Sequence, residues 1–485
     1  MHDLRQAERR FPERAHEHPP TPDQRDQGAE LPGHLIRPDG AGPIGDTEAA
    51  ALLNPLLSGT AVAAMAVSGG PDSLALLHLA DRWARSRGAR LLVLTVDHAL
   101  RPEAADEAAA VAAICRARGL EHRTIRWDGP KPSTGLQAAA REARLSLLTA
   151  ACHAAVTDTL LLAHHREDQA ETVLHRIDRG TGPEGLAGIA PESWRQGVRL
   201  VRPFLGVPKA RLSATCRAAD LSAADDPSNR DPRFARVRLR QMRPALDAVG
   251  LTVERLTRLS GAMGIARDRM RAEVRAWLAV HGAVHRCGTA RMSRSALTAA
   301  PPVFSSALLR GVMTIAAGAG YPPAGEALDA LAEWCVSAGP GGRRTLGGCV
   351  FEIVDETVVV MRELAACAPP ATVGSGATVC WDRRFLIRND GARPVRVGAC
   401  GPEGWRRIKR LDPTLSAADG NGALPHPARL AWPIVTDLDG VVALPHLVSG
   451  EQTAPDRHIF GVSIELLATR ERRIDGLMAN GRLTT

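Results

Sequence analysis

A chain in which an apolar run, 61–67, passes straight into Ser68-Gly69-Gly70-Pro71-Asp72-Ser73 and then into an amphipathic stretch has few folds open to it. The run has the pattern of a strand covered on both faces, as in a parallel sheet. Leu74, Leu77, His78, Ala80 and Asp81 start a helix whose apolar residues recur three and four apart. A strand, a glycine turn and a helix leave free backbone N–H groups converging at a helix N-terminus, where phosphate is electrostatically favoured. Gly69 and Gly70 let an anion reach the main chain, and Ser68 and Ser73 add hydroxyl donors. Asp72 fits beside a phosphate if Mg²⁺ lies between the two. Without a ligand the same residues read as an ordinary strand-to-helix turn capped by Asp72 or Ser73.

Two familiar phosphate-binding spellings are missing: no Gly-Lys-Ser/Thr follows at Walker spacing, and no third glycine completes a dinucleotide fingerprint. The stretch 68–73 instead resembles the pyrophosphate loop of the ATP-pyrophosphatases, which transfer AMP to an oxygen.

From 61 to about 221 the pattern alternates. Apolar strand candidates at 61–67, 91–96, 122–127, 159–163 and 198–202 are separated by helical patterns at 73–87, 103–118, 136–153 and 167–178. This predicts an α/β fold, a parallel sheet with helices on both faces. In such folds ligands bind beyond the carboxyl ends of the strands, and each charged motif of this region sits at such an end. Residues 1–50 read as a disordered extension rich in Pro, Gly, Arg and Glu, and 51–243 as the catalytic domain. A helical domain is expected over 244–340. A mixed domain is expected over 341–485, with a hairpin at 344–361 and strand candidates at 378–387, 394–398 and 440–445.

The chain has 485 residues, enough for several domains. It is 45% hydrophobic but only 3% aromatic, so the core is built from Ala, Val and Leu, and broad stacking platforms for single-stranded nucleic acid are not expected. The formal net charge of +8 comes almost wholly from arginine, the only lysines being Lys131, Lys209 and Lys409. Guanidinium groups suit a polyanionic partner, although an arginine-biased proteome would look the same. Nine cysteines stand singly, without a Cys-x-x-Cys, which suggests reduced thiols and a cytoplasmic protein. No apolar run reaches membrane-spanning length, so no membrane partner is expected.

Four further motifs carry ionisable groups. Asp97 and His98 end the second strand beside the phosphate loop, where they can meet a base or ribose. Arg141 and Arg144 share one helical face and can hold phosphate or developing negative charge. The stretch 163–172 (AHHREDQAET) follows the fourth strand. Asp168 and Glu171 there lie three apart and can ligate Mg²⁺ or position a nucleophile, while His164 or His165 can shuttle a proton or bind phosphate. Adjacent histidines make a poor zinc site. The glycine-rich stretch 179–188, opening on Arg179, should be a mobile loop near the site, and 226–240, with Asn229, Arg236, Arg238 and Arg240, suits RNA backbone contact.

In this order the motifs resemble the bacterial tRNA(Ile)-lysidine synthetase family, strongly over about 61–245 and more weakly beyond, where Thr345-Leu346-Gly347-Gly348 and Trp381-Asp382 carry the similarity. Glu167 departs from the family's usual aspartate, Leu145 from a tyrosine and Val237 from an asparagine. The resemblance implies that ATP adenylates C2–O of the wobble cytidine in tRNA(Ile) bearing a CAU anticodon, after which free L-lysine attacks C2 and AMP leaves. It further implies ATP held by 68–73 with Asp97 and His98, and Mg²⁺ on Asp72 and Asp168. Glu171 would serve the lysine ammonium and Arg141 the charge of the intermediate. Arg144, His164, His165, Arg179, Asn229, Arg236, Arg238 and Arg240 would meet the RNA. A homodimer is compatible with the sequence. A tRNA thiolase of the same superfamily, a glutamine-dependent ligase and a plain tRNA-binding protein are the alternatives. They lack support in paired cysteines, in an amidotransferase pattern and in any need for the acidic pair, respectively.

Overall fold

The structure, a computed structural model, describes residues 42–100, 103–132, 134–223, 235–285, 287–318, 320, 323, 325–411, 425–437, 442–443 and 462–470. Helix α1 (Asp46–Leu57) precedes β1 (Val62–Ala66), α2 (Pro71–Arg85), β2 (Arg90–Asp97), α3 (Glu103–Ala117), β3 (Glu121–Arg126), α4 (Leu136–Ala154), β4 (Thr159–Leu161) and α5 (Arg166–Asp178). Then come the short α6 (Pro183–Leu186), β5 (Glu192–Arg195), β6 (Val198–Val201) and α7 (Lys209–Ala218). The six strands form one sheet in the order β3-β2-β1-β4-β6-β5, parallel throughout except for the β5–β6 pair. The expected α/β class is the one found.

Period-2 alternation explains the layers. Ala64 and Ala66 of β1, Leu92 and Leu94 of β2, Leu160 of β4 and Leu162 just after it, and Val198 and Leu200 of β6 share one face, covered by Leu148 and Cys152 of α4. Helix α2 packs between α1 and α7 and buries Leu74, Leu76, Leu77 and Leu79. Each such leucine contributes roughly 1.5–3 kcal/mol. The sheet order reverses between β1 and β4, the place where an open α/β sheet forms a crevice. Strand β5 escapes the sequence reading because Glu192, Ser193 and Arg195 are polar. It is an edge strand, joined to β6 by a two-residue turn in which Gln196 and Gly197 both have positive φ.

Beyond it lie α8 (Ala235–Gln241), α9 (Arg243–Ala248), the long α10 (Val253–His281), β7 (Gly282–Val284), β8 (Ala290–Ser293), α11 (Arg294–Thr298), α12 (Pro302–Ala317) and α13 (Gly325–Ser337). The stretch expected to be wholly helical therefore contains two strands. They are too short to show a period, and they join β9 (Arg343–Leu346), β10 (Cys349–Val354) and β11 (Thr357–Arg362) in an antiparallel sheet ordered β7-β8-β11-β10-β9. Leu308, Val312 and Leu328 of the helices share a core with Phe351 and Val360 of this sheet, so packing continues across residue 340. The expected hairpin at 344–361 is three strands, the first turn using Gly347 and Gly348 at positive φ. Two small antiparallel sheets follow, one of Ala371–Val373, Val395–Ala399, Pro433–Thr436 and Val442–Ala443, the other of Thr378–Trp381, Phe385–Asn389 and Val462–Leu466.

One carboxylate ties these sheets together. Asp382, 1% exposed, accepts from Arg362 Nη2 at 2.8 Å, Arg384 Nε at 2.7 Å and the Ala368 amide at 2.9 Å. Arg384 also donates to the Ala431 carbonyl at 3.0 Å, and Arg362 to that of Gly348 at 3.1 Å. Removing the acid leaves two buried guanidinium groups without their counter-charge. Asp382→Ala should lose about 3–5 kcal/mol of stability in denaturant unfolding, while Asp382→Glu should lose less.

Candidate active site

Every motif singled out at a strand end comes to the crevice, and the turn after β1 forms its floor. Gly69 has φ +84°, a conformation that side chains resist, and Gly70 caps α2 with Pro71 at the first helical position. Ser73 Oγ accepts from the Ser68 amide at 3.1 Å and donates to the Gly70 carbonyl at 2.9 Å, fixing the turn from within. Asp72 stands on the first turn of α2. Its Oδ2 is 3.6 Å from His165 Nε2 and 3.7 Å from Lys209 Nζ, whereas Oδ1 is buried and has no hydrogen-bond partner. Burial raises the Asp72 pKa, against the pull of His165 and Lys209.

The opposite wall is the N-terminus of α5. His165 caps it and is 3% exposed; its amide donates to Asp168 Oδ2 at 3.1 Å and its Nδ1 meets Glu167 Oε2 at 3.0 Å. Its Nε2 lies 3.5 Å from Asp168 Oδ2 and 3.6 Å from Asp72 Oδ2, so one imidazole bridges the two acidic motifs. Burial opposes its protonation, but Glu167, Asp168 and Asp72 together raise its pKa. Glu167, which stands where the family usually has an aspartate, also accepts from the Lys209 amide at 2.9 Å and so anchors α7. Burial works to raise the Glu167 pKa, yet His165 and the Lys209 amide bring it below the ordinary value. Glu171, one turn on, is buried and gripped by Arg240: Nε reaches Oε1 at 2.6 Å and Nη2 reaches Oε2 at 3.3 Å. Nη2 of Arg240 is also 3.8 Å from Asp168 Oδ1.

A third group lies towards β2, α4 and β6. Asp97 Oδ1 accepts from the Ala99 amide at 2.8 Å, and Lys131 Nζ donates to the Ala99 carbonyl at 2.9 Å. His98 sits edge-on to Trp127, its Nδ1 buried without a partner, and burial followed by Arg144 lowers its pKa. His164 has the same unpartnered Nδ1. Burial, then Arg202, push its pKa down to about 3, with Arg141 and Arg144 adding to the effect. Arg202 follows β6 and is held by the Ala190 carbonyl at 2.9 Å and Ser193 Oγ at 3.0 Å. Burial and Arg141 lower its pKa to about 10. Arg141 is exposed and Arg144 half-buried on α4.

The glycine-rich stretch 179–188 is anchored rather than loose. It contains α6. Gln169 of α5 makes two bonds to the main chain of Ile189, at 2.6 and 2.9 Å, while Ser260 of α10 donates to the Ala187 carbonyl at 2.9 Å. Glu184 pairs with Arg271 of α10 at 2.6 Å and with Arg310 of α12 at 3.3 Å. Gly188 has φ +65°, and a Cβ there would come within 2.5 Å of Ser260 Oγ. Arg179, at the end of α5, is exposed.

The segment 226–240 is only partly described: Asn229 lies outside the described residues, and Arg236 is placed on α8 by its backbone alone. Val237 is 6% exposed, so the residue that departs from the family pattern is a packing residue. Arg238 is exposed, whereas Arg240 turns inward to Glu171. Lys209, Arg202 and Gln169 were missed by sequence reasoning. No spacing marks them, and only the scarcity of lysine could have drawn attention to Lys209.

The model of the PP-loop domain matches residues 45–246. A tRNA(Ile)-lysidine synthase of Methylobacterium sp. (strain 4-46) is 41% identical over 343 residues, covering 67% of this chain and 96% of that relative. The chain belongs to the tRNA(Ile)-lysidine synthase family. The synthase of Rhodopseudomonas palustris is 56% identical over 198 residues, which cover 40% of this chain and 57% of the relative. That of Bradyrhizobium diazoefficiens is 51% identical over 238 residues, covering 49% of this chain and 65% of its own length. The chain thus spans less than two thirds of these last two lysidine synthases.

Because the folded pKa of His164 lies far below the ordinary histidine value of 6.5, the unfolded chain binds the extra proton between the two values. The stability this residue contributes should be complete above pH 6.5 and be lost as pH falls through that window. By NMR its ring should stay neutral from about pH 5 to 8, and a midpoint near 6.5 in that range would contradict the assignment.

Proposed function

We propose that the protein ligates lysine to C2 of the wobble cytidine of tRNA(Ile) with a CAU anticodon, at the expense of ATP, in the cytoplasm. The observation that carries this reading is the His165 bridge, which puts the phosphate-type turn of Asp72 and the acidic pair of α5 in one crevice. Membership of the lysidine synthase family supports the substrate class. Among the described residues no helix is long and apolar enough to cross a membrane.

The residues fit their roles chemically. The 68–73 turn and the start of α2 offer main-chain N–H groups to the ATP phosphates, and Lys209 Nζ adds a cation beside them. Asp72 Oδ1, buried and unpartnered, suits a hard cation, with Asp168 as the second oxygen donor. Bound Mg²⁺ would screen phosphate charge. Asp97 and His98 border the same strand ends and are read as base or ribose contacts. A cytidine carbonyl oxygen is a poor leaving group until it carries AMP. Attack of that oxygen on the α-phosphorus forms the O–P bond and releases pyrophosphate. Attack of a lysine amine then forms the C2–N bond, breaks C2–O and expels AMP. Glu171 receives the ammonium and takes its proton, and Arg141 faces the negative charge that develops. His164, kept neutral, and Arg144 line the side from which the base enters, and Arg179 and Arg238 offer exposed cations to the RNA backbone.

Incubation with ATP, radiolabelled lysine and tRNA transcripts tests the proposal: label should enter only tRNA(Ile) with a CAU anticodon, and label in no tRNA would refute it. Glu171→Ala should cut lysine incorporation by about 100-fold or more while leaving tRNA-dependent pyrophosphate release measurable. Lys209→Ala should raise the KM for ATP by about tenfold with little change in the KM for lysine.

A further inference from the structure

Both oxygens of Glu171 are already taken. The Arg240 guanidinium lies on them in fork fashion, at 2.6 and 3.3 Å, and also faces Asp168. A substrate ammonium that is to reach Glu171 must first displace a cation of the chain itself. We propose that Arg240 is the resident cation of the amine seat, and that docking of the tRNA on α8 withdraws it to admit lysine. The inference rests on the reading of Glu171 given above and adds the order of binding: RNA first, amine second.

The geometry makes the exchange cheap on one side only. Glu171 is fixed on α5, with its side chain 7% exposed, whereas that of Arg240 is 36% exposed. Arg240 sits on the seven-residue α8, and a helix of two turns has little stability of its own. Val237, buried, is an apolar anchor of α8. Residues two apart on a helix point in nearly opposite directions, so Arg238 faces solvent while Arg240 faces the acid. A phosphate drawing Arg238 outwards would pull α8 away from α5 and open the fork. Exchange of one cation for another keeps the buried carboxylates compensated at both stages, which an empty seat would not.

The test is L-lysine binding followed by calorimetry, with a nonhydrolysable ATP analogue, in the presence and absence of tRNA(Ile). Wild type should bind lysine weakly until tRNA is added. Arg240→Gln keeps a donor against Glu171 but removes the charge, and should bind lysine without tRNA at least about tenfold more tightly than wild type, with a correspondingly smaller effect of tRNA. Arg240→Lys keeps the resident cation and should behave as wild type. Equal or weaker lysine binding by Arg240→Gln, or loss of tRNA dependence in Arg240→Lys, overturns the proposal. Glu171→Gln separates the two levels. If it binds lysine as wild type does, the reading of Glu171 is wrong; if it loses lysine binding while Arg240→Gln gains none, only the role of Arg240 is wrong.

Discussion

The site is organised by one buried imidazole. His165 caps α5 and touches three carboxylates, those of Asp72, Glu167 and Asp168, which come from two different helices. Three acids gathered in a crevice repel one another, and at low dielectric that repulsion would open the site. A histidine whose protonation is favoured by those same acids, together with the Lys209 ammonium, offsets the repulsion while leaving Asp72 Oδ1 without a partner. The acids of the crevice are therefore matched by basic groups of the chain itself.

That arrangement divides the crevice by charge. The α2 and α5 side is acidic and suits cations. The side built from α4, β2 and β6 carries Arg141, Arg144 and Arg202 around His98 and His164, whose protonation burial and the arginines disfavour. Neutral imidazoles with unpartnered nitrogens suit a nucleobase edge, and the arginines suit phosphate or developing negative charge. Acids on one side and neutral imidazoles with arginines on the other give the crevice two faces of opposite electrostatic character.

The rest of the chain supports this crevice from a distance. Helix α10 runs from the back of α5 to the second sheet, and its Ser260 and Arg271 fasten the stretch that carries α6. At the far end the buried Arg362–Asp382–Arg384 group joins the last strand of the five-stranded sheet to the turn between Thr378–Trp381 and Phe385–Asn389, an expensive construction that holds only while all three members are present.

The α/β class, the turn at 68–73 and the grouping of Asp97, Arg141, His164 and Asp168 at strand ends were legible in the sequence, because they rest on local periodicity and on where a strand stops. Edge strand β5 and the short strands β7 and β8 were not, since a strand of three or four residues is defined by its partner and not by its own pattern. The same holds within the site. That Asp168 and Glu171 project together follows from helix geometry, but that Asp72 meets His165, that Lys209 arrives beside Asp72 and that Arg240 points into Glu171 are contacts between residues 69 to 137 positions apart. Local residue types set which groups could bind phosphate, cation or base; only the closing of the sheet and the packing of α7 and α8 decided which of those charges would neutralise one another.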